Sequence, residues 1–305
     1  MSKLVTDIKS LELETLQNLK NSKSTNTLRA YKSDYKDFTN FCFKNNFSSL
    51  PADPKVLSLY LTHLSQTSKF STLKRRIASI SVVHKLKGHY IDTKHPVIME
   101  NLLGIKRKNG SNQKAKKPIL INDLKEIINV INKLKIKEIR KLRDKTLILV
   151  GFAGGFRRSE LVNIEHSDVE FVREGVKIFV KRSKTDQSGE GMVKAIPSFT
   201  TTTYCPVLHL EQWMMNKEKK RGKVFPLSDK SVALILKKYA ILAGLDGKKY
   251  AGHSLRSGFA TSTAESGAEE RNIMAMTGHK TTQMVRRYIK EANLFKNNAL
   301  NKIKI

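Results

Sequence analysis

Five side chains in the second half of the sequence have the chemistry needed to act on a phosphodiester. Arg157 follows a glycine turn at the start of a predicted helix, and His253 and Arg256 are spaced to share one face of another. His279 stands at a predicted helix break, and Tyr288 follows in a segment rich in arginine. Guanidinium groups bind phosphate oxygens bidentately and stay ionised. The set therefore predicts chemistry on a phosphate, carried out by cationic side chains in place of metal ions.

Each of these groups has a role in one reaction. Arg157 and Arg256 would hold the scissile phosphate and stabilise the charge that gathers on its oxygens. The hydroxyl of Tyr288 is the predicted nucleophile, and His253 is the candidate base, because a phenol with a pKa of about 10 needs help to lose its proton. His279 would donate a hydrogen bond to the phosphate. One ester replaces another, so rejoining the strand needs neither ATP nor a metal ion.

The same residues also have structural interpretations. Arg157 could pair with Glu160 one helical turn on, and one sequence does not decide whether Arg157 or Arg158 points inward. Glu160 is then expected to orient Arg157 rather than to handle protons. The two histidines could be buried core residues, and the tyrosine could be a core aromatic of an amphipathic helix.

In type and order the set resembles the catalytic residues of the tyrosine recombinase (phage integrase) family: Arg157, His253, Arg256, His279 and Tyr288. Residues 183–187 look like the segment that carries the family's hairpin lysine. The resemblance thus makes Lys184 the candidate for protonating the leaving 5′-oxygen, with Lys181 as the alternative. The helical residues 24–90 are similar to the family's core-binding domain, so the resemblance covers most of the chain.

The resemblance implies a site-specific recombinase that cuts and rejoins duplex DNA through a 3′-phosphotyrosine intermediate. It implies a homodimer on a site made of inverted-repeat half-sites and a homotetramer at synapsis. Cys42 and Cys205 are far apart in the sequence and suggest no disulfide framework, so we expect a cytoplasmic, nucleoid-associated protein. Two alternatives stay open. A DNA-binding regulator without chemistry could use residues 260–289 as a helix-turn-helix, and a type IB topoisomerase would share the same catalytic chemistry.

The composition points to a polyanionic partner. Lys and Arg number 57 and Asp and Glu 27, which gives a formal charge of +30, while 39% hydrophobic residues can supply a core. The sequence has no phosphate-binding loop of NTPases, no Cys-x2-Cys pair and no histidine spacing typical of a metal site. We therefore predict no metal, no cofactor and no membrane partner, and nucleic acid as the polyanion, which the resemblance narrows to duplex DNA.

The periodicity predicts a mainly α protein with a small β-hairpin (α+β), and the resemblance implies the two-domain architecture of a tyrosine recombinase. Residues 1–104, with predicted helices over 24–48, after Pro54 and from Ser71, would by that resemblance be the helical, SAM-like core-binding domain. Residues 105–118 are a basic linker. Residues 119–305 form the catalytic domain, whose hairpin pairs 176–180 with 192–196 and whose tail, 291–305, resembles the family's tail helix.

Two basic clusters are predicted to contact DNA. Lys74, Arg75 and Arg76 lie in the first turns of the third helix, and Lys106, Arg107 and Lys108 open the predicted linker. Each phosphate that such residues neutralise releases counterions and so adds affinity.

Overall fold

The computed structural model describes residues 8–110, 116–181, 190–216, 221–292 and 303. The chain divides into two compact units, Met1–Lys114 and Ala115–Ile305. The predicted fold class is confirmed: the described residues are mostly helical, with a three-stranded antiparallel sheet.

All the regular secondary structure in the described part of the first unit is helical. Its helices are α1 (Ile8–Asn21), α2 (Thr25–Lys44), α3 (Pro54–Ser65), α4 (Phe70–Leu86) and α5 (Pro96–Asn109). Ser24 caps α2, where its side chain accepts a hydrogen bond from the Thr27 amide, and Asp53 caps α3 ahead of Pro54. A single core, which includes Phe38, Leu73 and Ile98, joins α2 to α5.

Helix α5 extends past the predicted boundary between the first domain and the linker. The linker was predicted to begin at residue 105, yet Ile105 is buried in the core together with Leu102 and Ile98. These buried residues recur at helical spacing, and the helix continues through the basic residues 106–108, which lie exposed in its last turn. Cations are favourable at that position because the C-terminal end of a helix carries partial negative charge.

The second unit combines one sheet with several layers of helices. Its helices are α6 (Ile121–Lys133), α7 (Glu138–Ala153), α8 (Arg158–Leu161), α9 (Pro206–Met215), α10 (Asp229–Leu242), α11 (Ser254–Glu265), α12 (Glu270–Thr277) and α13 (Thr282–Ala292). Its strands are β1 (Val169–Val172), β2 (Gly175–Val180) and β3 (Met192–Pro197). The predicted hairpin corresponds to β2 and β3, with Val176 opposite Ile196, and β1 is an additional strand paired with β2.

The first described residues of this unit are hydrogen-bonded to the first residue of α11 and to the segment before it. The Lys117 amide donates to the Lys249 carbonyl at 2.8 Å, and the Ile119 amide donates to the Ser254 carbonyl at 3.0 Å. Gly258 allows this close approach, because a Cβ at that position would lie 1.9 Å from the Ile119 carbonyl oxygen. None of the helices in the described ranges is long and apolar enough to cross a membrane.

Candidate active site

A glycine turn after α7 presents Arg157. Gly155 adopts a positive φ of 54°, a conformation that side-chain-bearing residues rarely take, and the chain then enters α8. The Arg157 amide donates to Glu160 Oε2 at 3.0 Å, and its Nη1 donates to Glu160 Oε1 at 2.5 Å. Glu160 is buried and holds Arg157 in place, as its predicted orienting role requires. Arg158 is more exposed and lies 3.8 Å from Asp229.

Arg256 lies beneath the same turn, in the first turn of α11. Its side chain is 0% exposed, and its Nη1 donates to the Gly155 carbonyl at 2.9 Å. Its Nε and Nη2 are buried and have no hydrogen-bond partner among the described residues. Burial, followed by the charge of Arg157, lowers the pKa of this guanidinium to about 10, so it stays ionised at neutral pH. Buried donors on an ionised group need an acceptor, and an anion supplies one.

The tyrosine and its candidate base are in contact. Tyr288 Oη and His253 Nε2 are 3.1 Å apart. Val285, one turn earlier on α13, is buried against α11 and α12. This packing holds α13 in the position that brings Tyr288 next to His253. Burial lowers the pKa of His253, and the charges of Arg256 and Arg157 lower it further. A neutral His253 ring can therefore accept the hydroxyl proton at Nε2.

His279 adopts a defined tautomer. The Thr277 hydroxyl donates to the Ile273 carbonyl at 2.6 Å, and its oxygen lies 2.8 Å from His279 Nδ1. Because the hydroxyl has only one proton to give, Nδ1 carries the ring proton and Nε2 is an acceptor. Burial and the charge of Arg256 lower the pKa of His279 to about 4. His279 can therefore donate to a phosphate, as predicted, only when both of its ring nitrogens are protonated.

Lys194 on β3 lies under these groups, and the sequence analysis did not select it. Its side chain is 0% exposed, and its Nζ donates to the Gly154 carbonyl at 2.7 Å and to the Met276 carbonyl. The ammonium also lies 4.6 Å from the ring centroid of Phe156. Burial, opposed by Glu160 and reinforced by Arg256 and Arg157, lowers the pKa of Lys194 to about 7.

These elements enclose one open, positively charged pocket. It has a volume of about 580 Å³, and its lining includes Arg157, His253, Arg256 and His279. The side chain of Tyr288 is half-buried nearby, with its ring centroid 6.2 Å from that of His279. The two arginines, the two histidines and the tyrosine therefore meet at one place, although Arg157 and His253 are more than ninety positions apart in the sequence.

The sequence offers two candidates for the lysine of the hairpin, Lys184 and Lys181. Lys184 lies outside the described residues. Lys181, the alternative, directly follows β2 and is exposed, and its Nζ contacts Glu165 Oε2 at 2.5 Å and Asp168 Oδ1 at 2.8 Å. These two carboxylates raise the pKa of Lys181, which makes it a poorer proton donor.

The predicted DNA-binding residues of the first unit divide into two kinds. Arg75 and Arg76 both form ion pairs with the buried Asp34, and Arg76 is only 15% exposed. Lys74 is exposed, with its ammonium 5.3 Å from the ring centroid of Phe70. Lys106, Arg107 and Lys108 are exposed at the end of α5.

A tyrosine beside a neutral imidazole, next to a buried guanidinium with two donors unsatisfied among the described residues, is the arrangement expected of a class of enzymes that act on phosphodiesters. In the described ranges, no group of three or more His, Cys, Asp or Glu side chains could hold a metal ion.

Comparisons with known proteins agree with this class. A model of the phage integrase family matches residues 119–294. An integrase/recombinase described as a XerD homologue, from Selenomonas ruminantium, is 41% identical over 96% of this chain and 89% of its own. The tyrosine recombinase XerD of Staphylococcus epidermidis is 27% identical over 86% of this chain and 87% of its own.

Solved structures show the same fold at low sequence identity. The Tn1549 transposon integrase bound to transposon right end DNA has a TM-score of 0.63 at 13% identity and covers 93% of this chain and 97% of its own. The lambda integrase tetramer bound to a Holliday junction has a TM-score of 0.60 at 17% identity and covers 99% of this chain and 82% of its own.

The chain belongs to the phage integrase family and is a tyrosine recombinase. This confirms the resemblance found in the sequence. It also decides between the three functional hypotheses, in favour of site-specific recombination over a DNA-binding regulator or a type IB topoisomerase.

Proposed function

We propose that this recombinase cuts one DNA strand at a time by attack of Tyr288 on the scissile phosphate. The tyrosine oxygen forms a bond to phosphorus while the bond from phosphorus to the 5′-oxygen breaks, which leaves a 3′-phosphotyrosine. The phenolic proton passes to His253 Nε2, and the leaving 5′-oxygen takes a proton from Lys184. Rejoining reverses these steps with a 5′-hydroxyl from another strand, so the reaction consumes no ATP and needs no metal.

The observation that carries this proposal is the state of Arg256. Its Nε and Nη2 are buried without a hydrogen-bond partner among the described residues, beside the hydrogen bond between His253 and Tyr288. Leaving such donors unsatisfied is costly in a protein interior. A bound phosphate would accept from both nitrogens, and it would lie next to the nucleophile that is to attack it.

The neighbouring groups complete the phosphate site. Arg157, held by Glu160, lines the same pocket as Arg256 and supplies a second guanidinium. Positive charge fixed before the reaction stabilises a transition state without reorganising during it. His279 donates from Nε2 only when its ring is doubly protonated, and the negative charge of a bound phosphate favours that form.

Duplex DNA is the proposed partner, and the relatives support the proposed assemblies. The lambda integrase was solved as a dimer bound to a core site and as a tetramer bound to a Holliday junction. We propose the same order here, with a dimer on inverted-repeat half-sites and a tetramer at synapsis, in the cytoplasm at the nucleoid.

The proposed DNA-binding surface extends beyond the catalytic pocket. Residues 1–104 would serve as the core-binding domain, and residues 119–305 as the catalytic domain. Lys74 and the exposed cluster Lys106, Arg107 and Lys108 are free of the ion pairs that engage Arg75 and Arg76 among the described residues, which makes them the better candidates for direct contacts with phosphates. Arg75 keeps an exposed guanidinium, so it stays in the proposal.

Covalent capture tests the proposed reaction. Nicked duplexes built from inverted repeats that flank the gene are incubated with the protein in EDTA and separated on a denaturing gel. The wild type should form a protein–DNA adduct, and Tyr288→Phe should abolish the adduct while retaining DNA binding. Tyr90→Phe, which alters a 76% exposed tyrosine of the first unit, is the control and should behave as the wild type. An adduct formed by Tyr288→Phe, or one that EDTA prevents, would overturn the proposal.

A further inference from the structure

Lys194 occupies a position that an apolar residue would normally fill. Along β3 the buried residues alternate with exposed ones, and Ile196, two residues on, is 2% exposed on the same face. Burying a lysine there is unfavourable unless its ammonium is well satisfied. The protein thus places a costly group where a methionine or isoleucine would suffice for packing.

We propose that Lys194 is a positioning residue of the strand-transfer site, whose ammonium holds the Arg157 turn and the His279 turn together when a phosphate occupies the pocket. This inference rests on the proposed function, because the phosphate in question is the scissile one. Lys194 does not line the pocket and is fully buried, so it acts through other residues rather than on the substrate.

The contacts of the ammonium join three segments that supply catalytic groups. The Gly154 carbonyl belongs to the turn that delivers Arg157, and the Met276 carbonyl lies three residues before His279. Lys194 itself lies opposite Ile178 in the hairpin whose connecting segment contains Lys184. One side chain therefore fixes the spacing of elements that are far apart in the sequence.

The immediate contacts of Nζ suit the charged form of lysine. Two carbonyl oxygens accept its protons, and the face of Phe156 adds a cation–π contact. A neutral amine would direct its lone pair at that electron-rich face. The charged form is therefore the one that ties the two turns together most tightly.

The surrounding groups act on the ammonium of Lys194 in opposite directions. Glu160 favours the ammonium, whereas burial, Arg256 and Arg157 oppose it, and the pKa of Lys194 is lowered to about 7. Lys194 in turn helps to lower the pKa of His279. A phosphate on the two guanidiniums would offset their charge and shift Lys194 towards the ammonium. Substrate binding would then tighten the site that is to act on it.

A titration tests the charge coupling without any knowledge of the target DNA. The lysine Cε signals of protein labelled with ¹³C-lysine are followed by NMR against pH, in chloride and then in sulfate at equal ionic strength. One signal should titrate near pH 7, be absent from Lys194→Met, and move up by about one pH unit or more in sulfate. A Lys194 signal that titrates near the ordinary value of about 10.4, or that ignores sulfate, overturns the coupling.

Covalent capture under single-turnover conditions tests the positioning. Lys194→Met should lower the capture rate about tenfold to a hundredfold with little change in DNA affinity, because the reacting groups lose their alignment. Lys194→Arg keeps a cation and should recover part of the rate. Lys177→Met is the matched control, since Lys177 is half-exposed on the adjacent strand opposite Ala195.

The outcomes separate this inference from the proposed function. Wild-type capture by Lys194→Met, or equal loss in folded Lys194→Met and Lys194→Arg, would show that the ammonium does not position the site. Failure of the wild type itself to form an adduct would instead refute the proposed function, and the NMR titration would still decide the state of Lys194.

Discussion

Replacing Arg256 by methionine should stabilise the DNA-free protein while it destroys the activity. The pKa of this guanidinium falls from 12.5 to about 10 on folding. Since each pKa unit is worth about 1.4 kcal/mol, holding the charge in the folded site costs about 3 kcal/mol. The substitution removes that cost and gives up one hydrogen bond, to the Gly155 carbonyl, worth about 1 kcal/mol. The free energy of unfolding should therefore rise by about 2 kcal/mol.

Thermal unfolding in chloride measures this change. For a unit of this size, about 2 kcal/mol corresponds to a rise in Tm of roughly 4–8 °C. Sulfate should stabilise the wild type more than Arg256→Met, because an anion that binds only the folded site adds to stability. Covalent capture should fall by a factor of at least about 100, the typical cost of losing one transition-state donor.

An exposed arginine elsewhere in the second unit provides the matched control. Arg271→Met removes an 83% exposed arginine that is paired with Glu269, and it should change neither Tm nor capture appreciably. If Arg256→Met instead lowers the stability by about 2 kcal/mol or more, the guanidinium is a structural group. The inference that its two buried nitrogens await a phosphate would then be wrong.

Two further predictions concern pH and packing. Capture requires neutral His253, and the pKa of this residue lies below its usual 6.5. The capture rate should therefore decline only as the pH falls below 6.5. A single-turnover pH profile tests this, and a decline already complete at pH 7 would contradict it. Gly258→Ala should lower the free energy of unfolding by about 1–3 kcal/mol, because the new Cβ would meet the Ile119 carbonyl at 1.9 Å. Gly104→Ala, with nothing within 4 Å of its Cβ, should raise it by about 0.4–1 kcal/mol, and equal Tm shifts in the two variants would refute the packing argument.

The groups that meet in the pocket could be predicted from the sequence because their types carry the information. Arginine, histidine and tyrosine in this order have a joint chemical meaning that does not depend on knowing the fold. Lys194 could not be found in this way. It is one of many lysines in a chain of charge +30, and only its burial between two carbonyls and Phe156 distinguishes it. The single available signal was a lysine at an inward position of an alternating strand.

The tautomer of His279 shows a second limit of sequence reasoning. Its residue type allows either a donor or an acceptor towards a phosphate. The choice is made by Thr277, whose hydroxyl proton is already given to the Ile273 carbonyl. Such a network depends on distances of a few tenths of an ångström, which no spacing pattern encodes.

Secondary structure was predicted best where apolar residues recur strictly. Helix α2 and strands β2 and β3 follow the periodicity closely. The end of α5 was missed because three consecutive basic residues suggested a linker, while the buried Ile105 just before them was the stronger signal. Strand β1 was missed because, with four residues, it is too short to show a pattern.

The backbone pairing of residues 117–119 holds the turn that carries His253. These residues bond to the backbone on both sides of His253, at the carbonyls of Lys249 and Ser254. The approach is close, because a Cβ at Gly258 would meet the Ile119 carbonyl oxygen. A substitution that displaces residues 117–119 would therefore shift the candidate base without altering any residue that lines the pocket.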